Sequence, residues 1–143
     1  MAGSPKRRTW QLVCALVNLV NLSTPLGLVV AVVGRARTTK GPSGLLIASS
    51  YRLRIPPAIA FTVGSVIITR LTRDELLARP RLLAHEQRHT WQYVACLGLP
   101  LIPLYLIACA WSWLRCRDFA RRNPFEQLAG LADGGYDVRT PTT

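Results

Sequence analysis

Histidine is the scarcest functional residue in this chain. Only His85 and His89 occur among 143 residues, so no second histidine-based site can be built elsewhere. Four cysteines are present, Cys14, Cys96, Cys109 and Cys116, but none is in a C-x-x-C pair and two lie inside apolar runs. That spacing excludes a disulfide framework and predicts buried free thiols. Cys96 lies seven residues beyond His89, roughly 10 Å along a helix, too far to share a metal with both histidines. No internal repeat or low-complexity tract is visible. Acidic residues number seven against 18 Lys and Arg, giving a net charge of +11. A basic balance suits nucleic acid or anionic lipid. Here no reading helix or stacking platform is evident, and the arginines flank apolar runs. Interfacial anchoring is therefore the expectation, and no nucleic acid is expected as a partner.

Charge is missing altogether from Trp10 to Val33, a stretch of 24 residues. About 20 apolar residues suffice to cross a bilayer. Half of the chain is apolar and its mean hydropathy is positive, which also suggests contact with a membrane. Asn18, Asn21, Ser23, Thr24 and Pro25 interrupt the run, so the segment is expected as a kinked membrane helix or a hairpin of two short halves. A signal peptide or a buried core helix are the other readings, although no small-residue cleavage site follows cleanly. Basic residues flank the segment equally, Lys6, Arg7 and Arg8 before it and Arg35, Arg37 and Lys40 after, so they do not orient it. The organisation expected is a loose basic lead over 1–9, a membrane-associated segment over 10–34, a folded domain over 45–133 and a loose tail over 134–143.

Within that domain, residues 38–44 read as a loop. Strands are expected at about 45–54, 58–63 and 65–70, punctuated by Pro56-Pro57 and Gly64. Thr72-Arg73-Asp74-Glu75 matches a capping box. Pro80 suits the first turn of a helix running to about Cys96 and ended by Gly98 and Pro100. An apolar helix comes next, over about 101–115, and Asn123-Pro124 opens a short last one. The fold class is therefore α+β: an apolar N-terminal helix or hairpin, a small sheet, a central helix, a helical hairpin and a short C-terminal helix.

The central helix carries His85-Glu86-Gln87-Arg88-His89. An H-E-x-x-H pattern puts two imidazoles on one face, where they can bind Zn2+, and a glutamate beside them as a general base. A catalytic zinc takes three protein ligands. With no third histidine, the third must be acidic, and the acidic residues outside the motif are Asp74, Glu75, Asp118, Glu126, Asp133 and Asp137. Glu126 is the candidate, although as the third residue of a helix opened by Asn123-Pro124 it equally suits a capping role. Reach ties this choice to topology. If 97–114 continued the central helix, Arg115 would lie about 39 Å from His89, and the 11 steps back to Glu126 would span at most ~40 Å fully extended. A Glu126 ligand therefore requires the chain to turn at Gly98-Leu99-Pro100, so that the apolar helix folds back.

His85-Glu86-x-x-His89, the adjoining His89-Thr90-Trp91-Gln92 and the downstream Glu126-Gln127-Leu128-Ala129 resemble the zincin metallopeptidases. The likeness is to the gluzincin branch, in its small bacterial membrane-associated form, and covers roughly residues 58–133. It implies a minimal zincin-like fold, zinc on His85, His89 and Glu126, and Glu86 as catalytic base. It also implies a small sheet ahead of the motif helix with an edge strand that pairs with an extended peptide or protein substrate, and a setting at the bacterial cytoplasmic membrane. One departure stands out. Such enzymes commonly carry an Asp shortly after the third ligand to orient a motif histidine; here Gly130 occupies that place and the nearest Asp is Asp133. Tyr136, Tyr93 and Arg88 are candidate donors to the oxyanion, and Asp133 a candidate orienting group. Two functions stay open. One is a zinc-dependent, membrane-associated peptidase acting through zinc-activated water. The other is a non-catalytic small membrane protein whose structural or vestigial zinc site holds a protein partner.

Overall fold

The computed structural model describes residues 5–136; residues 1–4 and 137–143, including Asp137 and most of the expected tail, lie outside the described residues. Four short strands form one mixed sheet: β1 (Arg37–Lys40), β2 (Leu46–Ser49), β3 (Ala60–Val63) and β4 (Val66–Thr69), in the order β1-β2-β4-β3. β2 and β4 are parallel and the other pairs antiparallel. β4, Val-Ile-Ile-Thr, is buried at every position because it lies inside the sheet with both faces covered. Alternation along it sends Ile67 to one face, with Ile47, Leu76 and Leu82, and Val66 and Ile68 to the other, with Ala31, Ala48 and Tyr51. The first face is covered by α3 (Arg73–Leu77) and α4 (Pro80–Ala95), the second by α2 (Ser23–Val33). Gly27 permits the close approach of α2, since a Cβ there would sit 2.4 Å from the Val63 carbonyl oxygen. The α+β class is thus as expected.

The charge-free N-terminal run is two helices, α1 (Pro5–Val20) and α2, bent by 77° at the break between them. No single helix among the described residues is long and apolar enough to cross a membrane; the bent pair meets the length and hydropathy needed only jointly. The polar residues that interrupt the run make the bend. Fully buried Asn18 donates its amide to the Thr90 carbonyl (3.0 Å) and to Ser65 Oγ (3.3 Å), and accepts from Asn21 Nδ2 (3.2 Å). Ser23 Oγ donates to Asn21 Oδ1 at 2.6 Å, and Thr24 Oγ1 accepts from the Ser65 N–H at 3.1 Å. The corner is thereby fastened both to α4 and to the β3–β4 turn.

Several expectations need correction. Residues 5–9, expected as part of a loose lead, form the first turns of α1, where Pro5 suits a helix start. Residues 37–40 are the exposed strand β1 rather than loop; the breakers Gly41, Pro42 and Gly44 act only on the next segment, a 3-10 turn over Pro42–Gly44. β2 ends at Ser49, short of 54. Beyond it, Arg70 takes over, its guanidinium donating to the carbonyls of Leu53, Pro56 and Ala58 and stapling the 53–58 loop. The cysteines are free, but only Cys14 is buried; Cys96, Cys109 and Cys116 are half-buried.

α4 closes with the two backbone bonds of a Schellman motif. The Gly98 N–H donates to the Tyr93 carbonyl (2.7 Å) and the Leu97 N–H to the Val94 carbonyl (3.2 Å), with Leu97 in the left-handed region at φ 59°. The chain turns there, so α5 (Leu101–Cys116) does not extend α4, and the Tyr105 ring returns to 6.1 Å from the His89 ring. A short helix, α6 (Pro124–Ala129), comes last. Replacing Asn18 by Ala tests the corner. It removes the amide that ties α1 to the Thr90 carbonyl and Ser65 Oγ and takes the acceptor from Asn21 Nδ2, so it is expected to lower stability by about 1–3 kcal/mol in denaturant unfolding of the purified protein. An unchanged transition would show that the corner is not held there.

Candidate metal centre

α4 carries His85 and His89 one turn apart on its buried face, with ring centroids 4.8 Å apart and the two Nε2 atoms 3.2 Å apart. Their outer nitrogens decide their protonation. His85 Nδ1 lies 3.0 Å from the Gly130 carbonyl oxygen, which can only accept. His89 Nδ1 lies 2.8 Å from Gln92 Oε1, and the Gln92 amide is oriented by its Nε2, which donates to the Phe125 carbonyl at 2.8 Å. Both Nδ1 atoms are therefore donors, and in neutral rings both Nε2 atoms carry lone pairs. No Asp meets His85 here; its Nδ1 is met by the backbone carbonyl of Gly130. Gly134 lets this turn lie against the ring, since a Cβ there would stand 2.7 Å from His85 Cε1.

Glu126 completes the cluster. It occupies the third position of α6, but the capping is done by Asn123, whose side chain accepts from the Phe125 N–H at 3.0 Å, while the Asn123 N–H donates to the Ala120 carbonyl. The carboxylate is thus free to turn inward. Its Oε2 lies 3.2 Å from His85 Nε2 and its Oε1 3.5 Å from His89 Nε2. Tyr105 donates its hydroxyl to Oε1, whereas Oε2 is buried without a well-directed hydrogen bond. One ligand atom from each of His85, His89 and Glu126 lies within 4.8 Å of the others, and all three residues are buried, so the group could hold a metal ion.

The electrostatics agree. Burial raises the Glu126 carboxyl, but the close approach of the His85 and His89 imidazoles, with the Tyr105 hydroxyl, outweighs it and holds the group well below the usual carboxylate range. Burial lowers His89, but the Glu126 carboxylate outweighs that and leaves the imidazole raised. The centre thus attracts positive charge, as a proton or as a cation.

Glu86 stands beside these ligands and lines the same cavity, of about 350 Å3. The Thr62 hydroxyl on β3 bonds Glu86 Oε2 at 2.7 Å. Burial pushes the Glu86 carboxyl up, against the opposing influence of His89 and of the Thr62 bond. Tyr93 and Tyr136 also line the cavity, the Tyr136 ring 6.0 Å from His85. Burial raises both phenols, Tyr93 to about 12, so they stay protonated donors at neutral pH.

Arg88 does not line this cavity and is no oxyanion donor. Its guanidinium donates to the Ala129 carbonyl and to Asp133 Oδ2 at 2.8 Å. Asp133 bonds no histidine; it joins Arg88 to Arg81, whose Nε lies 2.9 Å from Oδ1. Residues 133–136 are therefore held in place rather than loose, since these pairs fix the turn that carries Gly130 and Gly134. Thr62 and Tyr105 escape sequence reasoning, because neither lies in a motif and both reach the site from other elements. Cys96 is not among the clustered ligands.

Two substitutions separate a metal centre from a chance cluster. Glu126→Ala is expected to lose bound metal, read by elemental analysis of the purified protein. Arg88→Ala, which frees the 129–134 turn, is expected to weaken metal affinity at least about tenfold, as loss of support behind a ligand does. Equal metal in wild type and Glu126→Ala would remove Glu126 from the ligand set. Comparison with protein families, with characterised proteins and with solved structures found no match to this chain.

Proposed function

We propose that the chain is a zinc-dependent metallopeptidase that works at a membrane surface. The observation that carries this reading is the convergence of three ligand atoms, His85 Nε2, His89 Nε2 and a Glu126 carboxylate oxygen, beside the buried carboxyl of Glu86. Tetrahedral ligands about 2.0–2.1 Å from one zinc stand roughly 3.3–3.4 Å apart. Two separations here, 3.2 Å between the imidazoles and 3.2 Å from His85 to Oε2, are close to that spacing, and His89 Nε2 stands 3.5 Å from the other carboxylate oxygen, Oε1. Zinc held there supplies Lewis acidity that polarises a scissile carbonyl and acidifies water.

The chain's own residues supply the rest. Glu86 is one residue from His85 and so lies about 100° round the helix from it. With Oε2 held by Thr62, its other oxygen takes a proton from water and passes it to the leaving amine. The protonated phenols of Tyr93 and Tyr136 are donors toward the oxyanion. Among the described residues β3 pairs only with β4 and leaves its other edge to receive an extended peptide beside Glu86.

The membrane part of the reading rests on exposed apolar helix faces. Leu16 and Val20 on α1, Val29, Val32 and Val33 on α2, and Leu106, Ile107 and Leu114 on α5 are exposed large apolar side chains, and clustered exposed apolar surface marks interaction with a membrane or a partner. α5 is 16 residues, about 24 Å, and falls short of a ~30 Å hydrocarbon layer. α5 alone is thus too short to span, and the apolar faces of α1, α2 and α5 suit contact with lipid. Lys6, Arg7 and Arg8 at one end and Arg115 and Arg117 at another meet headgroups, the last two lying over the rings of Trp111 and Trp113.

Glu86→Gln is expected to retain zinc and lose about 10²–10⁴-fold in cleavage of a quenched-fluorescent peptide library. Unchanged activity, or full activity after the metal is chelated, would sink the peptidase reading. Zinc binding by a wild type that cleaves nothing would favour a structural site that holds a partner. The purified protein is also expected to float with phosphatidylglycerol-containing vesicles through high-salt washes and to leave them only in detergent. Monodisperse behaviour without detergent or lipid would remove the membrane assignment.

A further inference from the structure

The cavity that holds the ligand cluster also has an extensive wall that the hydrolytic chemistry leaves unused. Leu26 and Val30 of α2 form one side of it and Ile102 and Leu106 of α5 another; Ala60 and Phe61 of β3 complete it. Among the described residues its polar lining is confined to the ligand cluster, Glu86, Thr62 and three tyrosines, with no Lys, Arg, Asp, Asn or Gln. At about 350 Å3 it lies at the small end of ligand sites, suited to a short run of side chains rather than a folded partner.

Both helices that make the wall, α2 and α5, also have exposed apolar outer faces. Leu106 belongs to both surfaces: it lines the cavity and is 61% exposed, so it stands at the rim. The rim is thus continuous with the apolar outside of α5. The loop at Pro56 and Ala58, also in the lining, is held by the Arg70 guanidinium through the carbonyls of Leu53, Pro56 and Ala58.

We infer that the substrate is an apolar, membrane-resident peptide segment that enters from the lipid side between α2 and α5, its large aliphatic or aromatic side chains seated against Val30 and Leu106. This rests on the hydrolytic reading of the site for its chemistry, but the selection belongs to the wall. A charged side chain entering there gives up its hydration and finds no free partner. Glu126 is engaged with the histidines and Tyr105, and Glu86 with Thr62.

Binding tests this without turnover. Glu86→Gln protein in phosphatidylcholine–phosphatidylglycerol nanodiscs is titrated into two dye-labelled heptapeptides of Leu and Ala, one with Leu at its centre and one with Asp, and anisotropy is read against empty nanodiscs. The Leu peptide is expected to bind at least about tenfold more tightly. Val30→Trp and Leu106→Trp, which fill opposite walls, are each expected to weaken that binding about tenfold while zinc content and circular dichroism stay unchanged. If one of them fails to fold, the other carries the test. Equal affinity for the two peptides, as when lipid fills the cavity, would overturn the inference. So would Leu-peptide binding that a folded Trp variant leaves intact. A wild type without zinc or cleavage would overturn the peptidase reading instead, leaving the Leu-to-Asp difference as a separate measurement.

Discussion

The two Nδ1 hydrogen bonds govern this structure. A carbonyl at Gly130 and an amide oxygen at Gln92 accept only, so each imidazole is set with its lone pair inward, toward its neighbour and toward Glu126. Three inward-facing acceptors cannot remain buried together at 3.2–3.5 Å without positive charge among them. Every nearby element serves that arrangement. α6 brings Glu126 inward because Asn123 takes over its capping duty. Asp133 and Arg88 hold the turn that presents the Gly130 carbonyl, and α5 returns Tyr105 to the outer carboxylate oxygen.

A second polar cluster decides how the apolar N-terminal run is used. An uninterrupted helix over 24 uncharged residues would be a membrane span. Asn18, Asn21, Ser23 and Thr24 instead form a buried corner on α4 and the β3–β4 turn, where each finds a partner. Leaving such groups unpaired inside protein or lipid costs more than bending the helix. The bend lays α2 on the sheet and into the wall of the cavity, so a segment that reads as an anchor is also part of the site.

Helix starts and the motif are legible in the sequence because their causes are local. Thr72 and Glu75 form the capping box their spacing implies, Pro80 and Pro124 open helices, and His85 and His89 share a face because four residues make about one turn. Strand β1 is not legible, because Thr38 and Thr39 acquire their pairing only from β2 and nothing local marks it. The role of Arg88 is hidden for a related reason. Its position on the helix is local, but its partners Ala129 and Asp133 come from the end of α6 and beyond it.

The sequence by itself determined the two-histidine helix, the neighbouring glutamate and the condition that any third ligand downstream requires a reversal after α4. These follow from helical periodicity, backbone reach and the absence of any other histidine. Only the tertiary structure decided that Glu126 turns inward to His85 and His89, in a group that could hold a metal ion, while Asn123 caps the helix. That choice depends on Asn123 satisfying the helix start, and on Tyr105, Gly130 and Gln92 arriving from separate segments to leave one carboxylate oxygen and two imidazole nitrogens facing each other. Such an arrangement is set by which buried polar groups find partners, and that is settled only when the chain has packed.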